Sequence, residues 1–244
     1  MKFFLDSVSI TEISDSVQLG IIRGITTNPS LLAKEADGSR GGQFNISLKE
    51  YIKAICNAGP GLPVSVEVTG ETTDEMVQQG LWFSQWSPQI VVKVPLTGAG
   101  LKACRGLAEK GISVNVTLCF SLNQALLAAQ AGATYLSVFW GRLEDDGQDA
   151  FSVIKEIHHM LQETKCSTQL LVASIRNMDQ VRRALFTGAP IATLPFSVLK
   201  AMLQHSLTDK GLEQFRQDSK IWAHYLFQDH HQPWERALGT GLHG

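Results

Sequence analysis

The sequence predicts an α/β protein, a (β/α)8 TIM barrel with one additional C-terminal helix. Eight short runs rich in β-branched residues alternate with longer segments in which apolar residues recur three and four positions apart. A chain of 244 residues is long enough to build eight such units as one domain. The dinucleotide-binding pattern Gly-x-Gly-x-x-Gly does not follow the first run, which disfavours an open doubly wound sheet.

The predicted strands are short and mostly apolar, as buried parallel strands are. In chain order they are Lys2–Asp6, Gly24–Asn28, Val64–Val68, Ile90–Val94, Ser113–Thr117, Thr134–Phe139, Gln169–Ala173 and Ile191–Leu194.

Between these strands, apolar residues recur at the spacing of an α-helix. Particular residues indicate where these helices begin and end. Ser121, with Gln124 three residues later, predicts a helix N-cap of the capping-box type. Gly111, Gly132 and Gly188 fall where helices should end and return to the next strand. We therefore expect the barrel to occupy residues 1–205.

Three segments lie outside the regular alternation. Leu212, Phe215, Trp222 and Leu226 recur at helical spacing, which predicts a helix over 206–227 that packs on its own barrel or on a neighbouring subunit. Residues 228–244 are polar and should form a flexible tail. A glycine-rich insertion, Ala36–Gln43, should form a surface loop near the barrel mouth rather than a lid.

Composition excludes several classes of protein. A net charge of -2 argues against a nucleic-acid binder, and no segment has the apolar length of a membrane span. Asp6 interrupts the apolar start of the chain, so we expect no signal peptide and a soluble, cytoplasmic protein. The four cysteines are scattered and lack a metal-binding spacing, which predicts buried thiols in a reducing compartment and no metal site.

Lys93 is the most informative residue, because its amine stands in the apolar run Val91-Val92-Lys93-Val94-Pro95. A buried lysine favours the neutral amine, which attacks carbonyl groups to form a Schiff base. A structural ion pair with a carboxylate would also explain a lysine in a strand. This run alone leaves both interpretations open.

Polar side chains recur where the other predicted strands end, which is where barrel enzymes place their chemistry. They are Asp6, Thr26, Thr27, Asn28, Glu67, Asn115, Thr117, Ser137 and Arg142, joined by Phe139, Ser174 and Arg176. Singly, each has a structural explanation: Asp6 and Asn28 as helix caps, Glu67 as the partner of Lys93, the arginines as surface charges. Together they have no packing rationale and predict a catalytic pocket.

The residue types fit the chemistry of a Schiff-base lysine. Glu67 with a bound water could supply the proton that dehydrates a carbinolamine. Asp6 could act as the base for a hydroxyl next to the bond that is cleaved. Arg142, Arg176 and Ser174 would form an anion site for a phosphorylated substrate.

At these positions the chain resembles the transaldolase family, in particular its small bacterial branch that includes fructose-6-phosphate aldolases. The matching motifs are spread over about the first 205 residues in the family order. They are Gly24-Ile25-Thr26-Thr27-Asn28-Pro29-Ser30, Val91-Val92-Lys93-Val94-Pro95, Asn115-Val116-Thr117-Leu118 with Phe120-Ser121, Phe139-Trp140-Gly141-Arg142, Ala173-Ser174-Ile175-Arg176-Asn177 and Leu207-Thr208-Asp209-Lys210-Gly211.

The resemblance implies a role for each matching residue. Lys93 would form the Schiff base, Asp6 would be the general acid and base, and Glu67 with Thr117 would hold the catalytic water. Substrate would be bound by the remaining residues, which are Thr26, Asn28, Asn115, Ser137, Phe139, Arg142, Ser174 and Arg176. The resemblance also implies sugar-phosphate substrates of the pentose phosphate pathway, no metal or organic cofactor, and a homo-oligomer, a pentamer or a decamer.

Two members of this branch remain as alternatives. The chain resembles transaldolases in Glu67 and Phe139, whereas the aldolases have glutamine and tyrosine there. We therefore expect a transaldolase that transfers dihydroxyacetone from fructose 6-phosphate or sedoheptulose 7-phosphate to an aldose phosphate. The alternative is a fructose-6-phosphate aldolase that uses free dihydroxyacetone and glyceraldehyde 3-phosphate.

A non-catalytic sugar-phosphate binder and an isomerase with Glu67 as its base are the remaining hypotheses. The chain departs from the family in Val138, Trp140 and the Ala36–Gln43 insertion.

Overall fold

A computed structural model describes residues 1–36 and 46–223 of the chain. The chain divides into two units, Met1–Ala201 and Met202–Gly244. In the first unit, eight parallel strands pair in chain order, and the last strand pairs with the first to close a barrel. The predicted (β/α)8 fold is confirmed.

The strands of the barrel are β1 Lys2–Asp6, β2 Ile22–Thr26, β3 Val64–Glu67, β4 Ile90–Pro95, β5 Val114–Cys119, β6 Tyr135–Phe139, β7 Gln169–Ala173 and β8 Ile191–Leu194. The helices are α1 Ile10–Gln18, α2 Pro29–Ala36, α3 Leu48–Ala58, α4 Thr73–Ser84, α5 Gly98–Ala108, α6 Leu122–Gln130, α7 Trp140–Asp145, α8 Ala150–Glu163, α9 Met178–Phe186, α10 Phe196–Met202 and α11 Ser206–Trp222.

Strand boundaries agree closely with the sequence patterns, with one clear shift. The bounds of β1, β7 and β8 are those predicted, whereas β2 lies two residues earlier than the predicted Gly24–Asn28. Asn28 ends the strand pattern because its side chain caps α2, accepting a hydrogen bond from the amide of Leu31 at 2.9 Å. Pro29 is then the first residue of α2, a position that suits its fixed φ.

The predicted helix boundaries also hold. Gly111, Gly132 and Gly188 adopt φ values of 75°, 90° and 86°, a left-handed conformation that glycine adopts without strain. The Ser121 hydroxyl caps α6 by accepting from the amide of Gln124. The Gln124 side chain accepts from the amide of Phe120, one residue before the position that a standard capping box uses.

The interior of the barrel is filled below the strand ends. The Phe4 ring lies where a Cβ on Gly24 would come within 2.4 Å of it, so this strand position requires glycine. Phe4 is buried, packs edge-on against Tyr135, and clusters with Leu171 and Ile191. Because side chains alternate along a strand, Phe4 lies on the same face as Asp6, one layer below it.

The second unit contains α11, and several apolar side chains of this helix are exposed: Leu207, Leu212, Phe215, Ile221 and Trp222. The docking partner predicted for this helix, and the domain boundary at residue 205, remain predictions. The predicted tail, residues 228–244, and most of the predicted insertion Ala36–Gln43 lie outside the described residues. Among the described helices, none is long and apolar enough to cross a membrane.

Candidate active site

A cavity of about 430 Å³ opens at the C-terminal ends of the barrel strands. Nine predicted site residues line it: Asp6, Thr26, Asn28, Glu67, Lys93, Ser137, Phe139, Arg142 and Ser174. Pro29, Ser30, Leu31, Leu118, Ala173 and Thr193 complete the lining. Parallel closure of the barrel brings these residues together, because it places the carboxyl ends of all eight strands at one rim.

Lys93 is the most deeply buried charged residue of this cavity, with 5% of its surface exposed. Its Nζ lies 2.9 Å from Oε2 of Glu67, the residue paired with it on the neighbouring strand β3. The same nitrogen donates to the main-chain oxygen of Thr27 at 3.2 Å. The carboxylate therefore offsets much of the cost of burying the amine, and the ion pair that the sequence left open is present.

Asp6 lies at the end of β1, opposite Thr26 on β2. The Thr26 hydroxyl is 3.0 Å from Oδ1 of Asp6 and 2.6 Å from the hydroxyl of Thr193 on β8. Three neighbouring strands therefore contribute to one polar chain along this side of the cavity. The cap of α1 is Ser9, so Asp6 is not the helix cap that its position also suggested.

A second polar chain lies beside Lys93. The Asn115 side chain donates to the Ser65 hydroxyl at 3.1 Å and accepts from the Ser137 hydroxyl at 2.8 Å. Both bonds are buried, and together they hold the amide between the two serines. Asn115 pairs with Lys93 across β4 and β5, so this chain holds the residue next to the lysine.

Thr117 is fully buried, and its hydroxyl has no hydrogen-bond partner within the described residues. A buried hydroxyl without a partner is costly, and bound water is one way to satisfy it. Thr117 lies two residues beyond Asn115 on β5, and it is paired with Pro95 of β4, two residues beyond Lys93.

Phe139 and Arg142 form the side of the cavity that follows β6. The guanidinium carbon of Arg142 lies 5.0 Å from the centre of the Phe139 ring, and Phe120 packs edge-on against the same ring. This geometry is a cation–π contact, which holds the arginine over the ring. Trp140, one residue further, is fully buried in the main hydrophobic core and is absent from the cavity lining.

Ser174 and Arg176 follow β7 and contact the start of α7. Ser174 has a φ of 59°, and its main-chain oxygen accepts from the amide of Gly141 at 3.0 Å. A Cβ on Gly141 would lie 2.5 Å from that oxygen and 2.6 Å from Nε of Arg176. Glycine at 141 is therefore required for the close approach of α7 to the segment after β7.

The Arg176 guanidinium makes a two-pronged ion pair with Asp145, with nitrogen–oxygen distances of 2.7 and 2.6 Å. The hydrogen bonds from Arg176, and then the charges of Arg176 and Arg142, lower the pKa of Asp145. The pair is half-exposed, and Arg176 does not line the cavity.

Three predicted residues are thus outside the cavity lining: Asn115, Thr117 and Arg176. Three residues of the site carried no assigned role at the level of sequence: Thr27, Ser65 and Thr193. Ser65 could have been found from its spacing, because it lies two residues before Glu67 and so faces the same side of β3. Within the described residues, no group of three or more His, Cys, Asp or Glu side chains could hold a metal ion.

Comparisons with known proteins find relatives that match most of this chain. A protein 46% identical over 220 residues, named probable transaldolase, occurs in Thermoplasma volcanium; the match covers 90% of this chain and 96% of the relative. Probable transaldolase 1 of Bacillus cereus is 43% identical over 218 residues, covering 89% of this chain and 97% of the relative.

A solved structure from Burkholderia cenocepacia, described as a putative phosphonomutase, superposes with a TM-score of 0.55 at 13% identity. It covers 89% of this chain and 92% of its own, and it supports the fold alone. The family model described as Transaldolase/Fructose-6-phosphate aldolase matches residues 3–233. With almost the whole chain matched, this protein belongs to the transaldolase/fructose-6-phosphate aldolase family.

Proposed function

We propose that this protein is a transaldolase that carries a dihydroxyacetone unit on Lys93 as a Schiff base. The observation that carries the proposal is the setting of the Lys93 amine. It is nearly fully buried, yet it lines a cavity and lies 2.9 Å from a carboxylate that lines the same cavity. A purely structural ion pair has no need of a cavity around it.

The first half of the reaction forms the iminium. Glu67 first takes a proton from the Lys93 ammonium, and the neutral Nζ then attacks the C2 carbonyl of the ketose phosphate. The carbonyl oxygen gains the proton that the nitrogen loses, which gives a carbinolamine. Glu67, acting through a water held with Thr117, protonates the departing hydroxyl, and water leaves as the C=N bond forms. The unpartnered Thr117 hydroxyl supports this role, since it has a free donor and acceptor close to the lysine strand.

The second half breaks and remakes a carbon–carbon bond. Asp6 takes the proton of the C4 hydroxyl, the C3–C4 bond breaks, and its electron pair moves into the iminium to give an enamine. The aldose phosphate leaves, the enamine attacks the aldehyde of the acceptor, and Asp6 returns the proton. Hydrolysis of the new iminium frees Lys93. The Thr26 bond to Asp6 supports this assignment, because it orients the carboxylate toward the cavity.

Substrate binding is assigned to the other polar groups. Thr26, Asn28, Asn115 and Ser137 would bind or position hydroxyls, with Phe139 packing against the carbon chain. Arg142 and Ser174 line the cavity and suit a phosphate group. Arg176 would join them when its side chain exchanges Asp145 for the phosphate.

Transfer, rather than release of free dihydroxyacetone, is favoured by Glu67 and Phe139. A phenylalanine ring has no hydroxyl with which to hold the water that would hydrolyse the three-carbon intermediate. The aldolase reaction is the second candidate, because the family includes both activities.

The test has two parts: chemical trapping of the Schiff base at Lys93, and measurement of whether product formation requires an aldose acceptor. Borohydride reduction in the presence of fructose 6-phosphate should add the mass of the bound sugar unit at Lys93, located by peptide mass spectrometry. Lys93→Met should abolish the adduct, and Lys102→Met, on the exposed face of α5, should leave it unchanged. Product formation that requires erythrose 4-phosphate supports transfer, and formation without it supports the aldolase. Absence of an adduct in the unaltered protein would sink the Schiff-base mechanism.

The proposal includes a homo-oligomer, a pentamer or decamer, in the cytoplasm. The exposed apolar residues of α11 support an assembly, and the four free cysteines suit a reducing compartment. Light scattering coupled to size exclusion measures the subunit number, and a monomer at micromolar concentration would contradict the assembly.

A further inference from the structure

In the part of the chain that the structure describes, the amine of Lys93 contacts a charged acceptor and a neutral one. Glu67 provides the first at 2.9 Å, and the main-chain oxygen of Thr27 provides the second at 3.2 Å. Thr27 is fully buried and directly follows β2, so its carbonyl belongs to the barrel rather than to a surface loop.

The two acceptors define the direction of the nitrogen lone pair. A neutral amine nitrogen is tetrahedral, with one bond to Cε, two N–H bonds and one lone pair. A bond to Glu67 alone would fix one N–H and leave the second N–H and the lone pair free to exchange positions. With the second N–H on Thr27, the lone pair takes the remaining direction. Because Lys93 lines the cavity, our proposal assigns that direction to the substrate.

The Thr27 carbonyl is itself held firmly in place. Both the amide and the hydroxyl of Thr27 donate to the main-chain oxygen of Ser65, at 3.0 and 2.8 Å. Ser65 lies on β3 two residues before Glu67. One short segment of β3 therefore positions both acceptors of the amine, the carboxylate directly and the carbonyl through Thr27.

We propose that Thr27 is a positioning residue for Lys93: its carbonyl aims the lone pair of the amine at the substrate carbonyl, and its hydroxyl holds that carbonyl in place. The inference rests on the proposed function, in which Lys93 is the nucleophile. It predicts that loss of the Thr27 hydroxyl slows the attack of Lys93 without weakening the binding of substrate.

The experiment is a series at position 27, read by the rate of cyanoborohydride trapping at Lys93 across fructose 6-phosphate concentrations. Thr27→Val keeps the shape but removes one hydrogen bond, so the trapping rate at saturation should fall about fivefold while the half-saturating concentration stays within about twofold. Thr27→Ser keeps the donor and should restore the rate. Thr27→Cys, a weaker donor, should lie between them.

Thr168→Val is the matched control. The Thr168 hydroxyl is buried, donates to the main-chain oxygen of Ala133 at 2.7 Å and accepts from Sγ of Cys166 at 3.5 Å. Thr168 lies just before β7 and is absent from the cavity lining. This variant should lose a similar amount of thermal stability and trap at the unaltered rate. If Thr27→Val is not recovered folded, the trapping rates of Thr27→Cys and Thr27→Ser still test the proposal, because Thr27→Cys should be the slower of the two.

The outcomes separate this inference from the proposed function. An unaltered protein that forms no adduct at Lys93 refutes the proposed function. An unaltered protein that forms the adduct, with Thr27→Val and Thr27→Cys trapping at its rate, overturns the inference alone. A rise in half-saturating concentration at constant saturating rate also overturns it, because that result places Thr27 in substrate binding.

Discussion

Lys93 and Glu67 form an ion pair inside the barrel, with 2.9 Å between Nζ and Oε2, and they lie directly opposite each other on β4 and β3. The structural and catalytic interpretations of Lys93 are therefore compatible. The carboxylate that makes burial of the amine tolerable is also the group nearest to it that can exchange a proton.

Replacement of Glu67 by alanine should lower the rate of dihydroxyacetone transfer by about 10²–10⁴-fold, because the proton donor and its water site are removed. Glu67→Gln should lose less, since an amide can still hold the water. The rates are measured in a coupled assay with fructose 6-phosphate and erythrose 4-phosphate. Glu109→Ala, which breaks an exposed pair with Arg105, is the control and should retain the full rate. Full transfer by Glu67→Ala would show that Glu67 is structural.

Replacement of Phe139 by tyrosine should raise the release of free dihydroxyacetone relative to transfer. The added hydroxyl can hold a water near the three-carbon intermediate, and one such hydrogen bond changes the ratio by about fivefold. The ratio is measured from the products formed with and without erythrose 4-phosphate. Phe120→Tyr is the control, because Phe120 packs against the same ring and is absent from the cavity lining. An unchanged ratio in Phe139→Tyr would remove Phe139 as the determinant of transfer.

Replacement of Asp145 by asparagine should free Arg176 and strengthen the binding of inorganic phosphate. The gain should be at most about fivefold, because an exposed ion pair contributes little free energy. It should shrink in high salt. Isothermal titration with phosphate measures it, with Asp179→Asn, which releases the exposed Arg182, as a control of equal charge. Equal gains in both variants would point to net charge instead.

The same ion pair has a defined dependence on pH. Arg176 lowers the pKa of the Asp145 carboxyl in the folded protein. The pair is therefore intact above the ordinary carboxyl pKa, and it is lost as the pH falls through the lowered value. The difference in phosphate affinity between Asp145→Asn and the unaltered protein should accordingly be constant near neutral pH.

Replacement of Gly141 by alanine should lower the free energy of unfolding by about 1–3 kcal/mol, because the new Cβ would overlap the Ser174 oxygen. It should also weaken phosphate binding, since Ser174 and Arg176 would be displaced together. Urea unfolding and phosphate titration measure the two effects. Gly106→Ala, in the last turn of α5 with its nearest neighbour at 3.7 Å, should instead gain up to about 1 kcal/mol. A Gly141→Ala protein as stable as the unaltered one would contradict the close approach.

Much of the fold followed from local sequence signals. β-Branched runs and helix-ending glycines such as Gly132 report local backbone preferences, so most strand bounds were predicted within a residue or two. β2 was displaced because Asn28 and Pro29 are helix-start residues whose effect outweighed the strand pattern. Gly24, which looked like a strand boundary, lies within β2 because Phe4 requires the space.

Most residues that line the cavity could be predicted from the sequence, but the hydrogen bonds and ion pairs among them could not. Lys93 and Asp6 stood out because a charge near the end of an apolar strand is unusual. Thr27 was noted at a strand end without a role, and Ser65 and Thr193 were not noted, because threonine and serine are ordinary in strands and their roles depend on partners in other strands. Arg176 was predicted to face the substrate. Its pairing with Asp145 depends on how the segment after β7 meets the end of α7, 31 residues away in the chain.

Phe4 is buried against Gly24, one layer beneath Asp6 on the same face of β1. In the reaction that we propose, Lys93 keeps the three-carbon unit after one aldose departs and until the next one arrives. Kinetics of the ping-pong type should follow, with the two aldoses competing for the loaded enzyme.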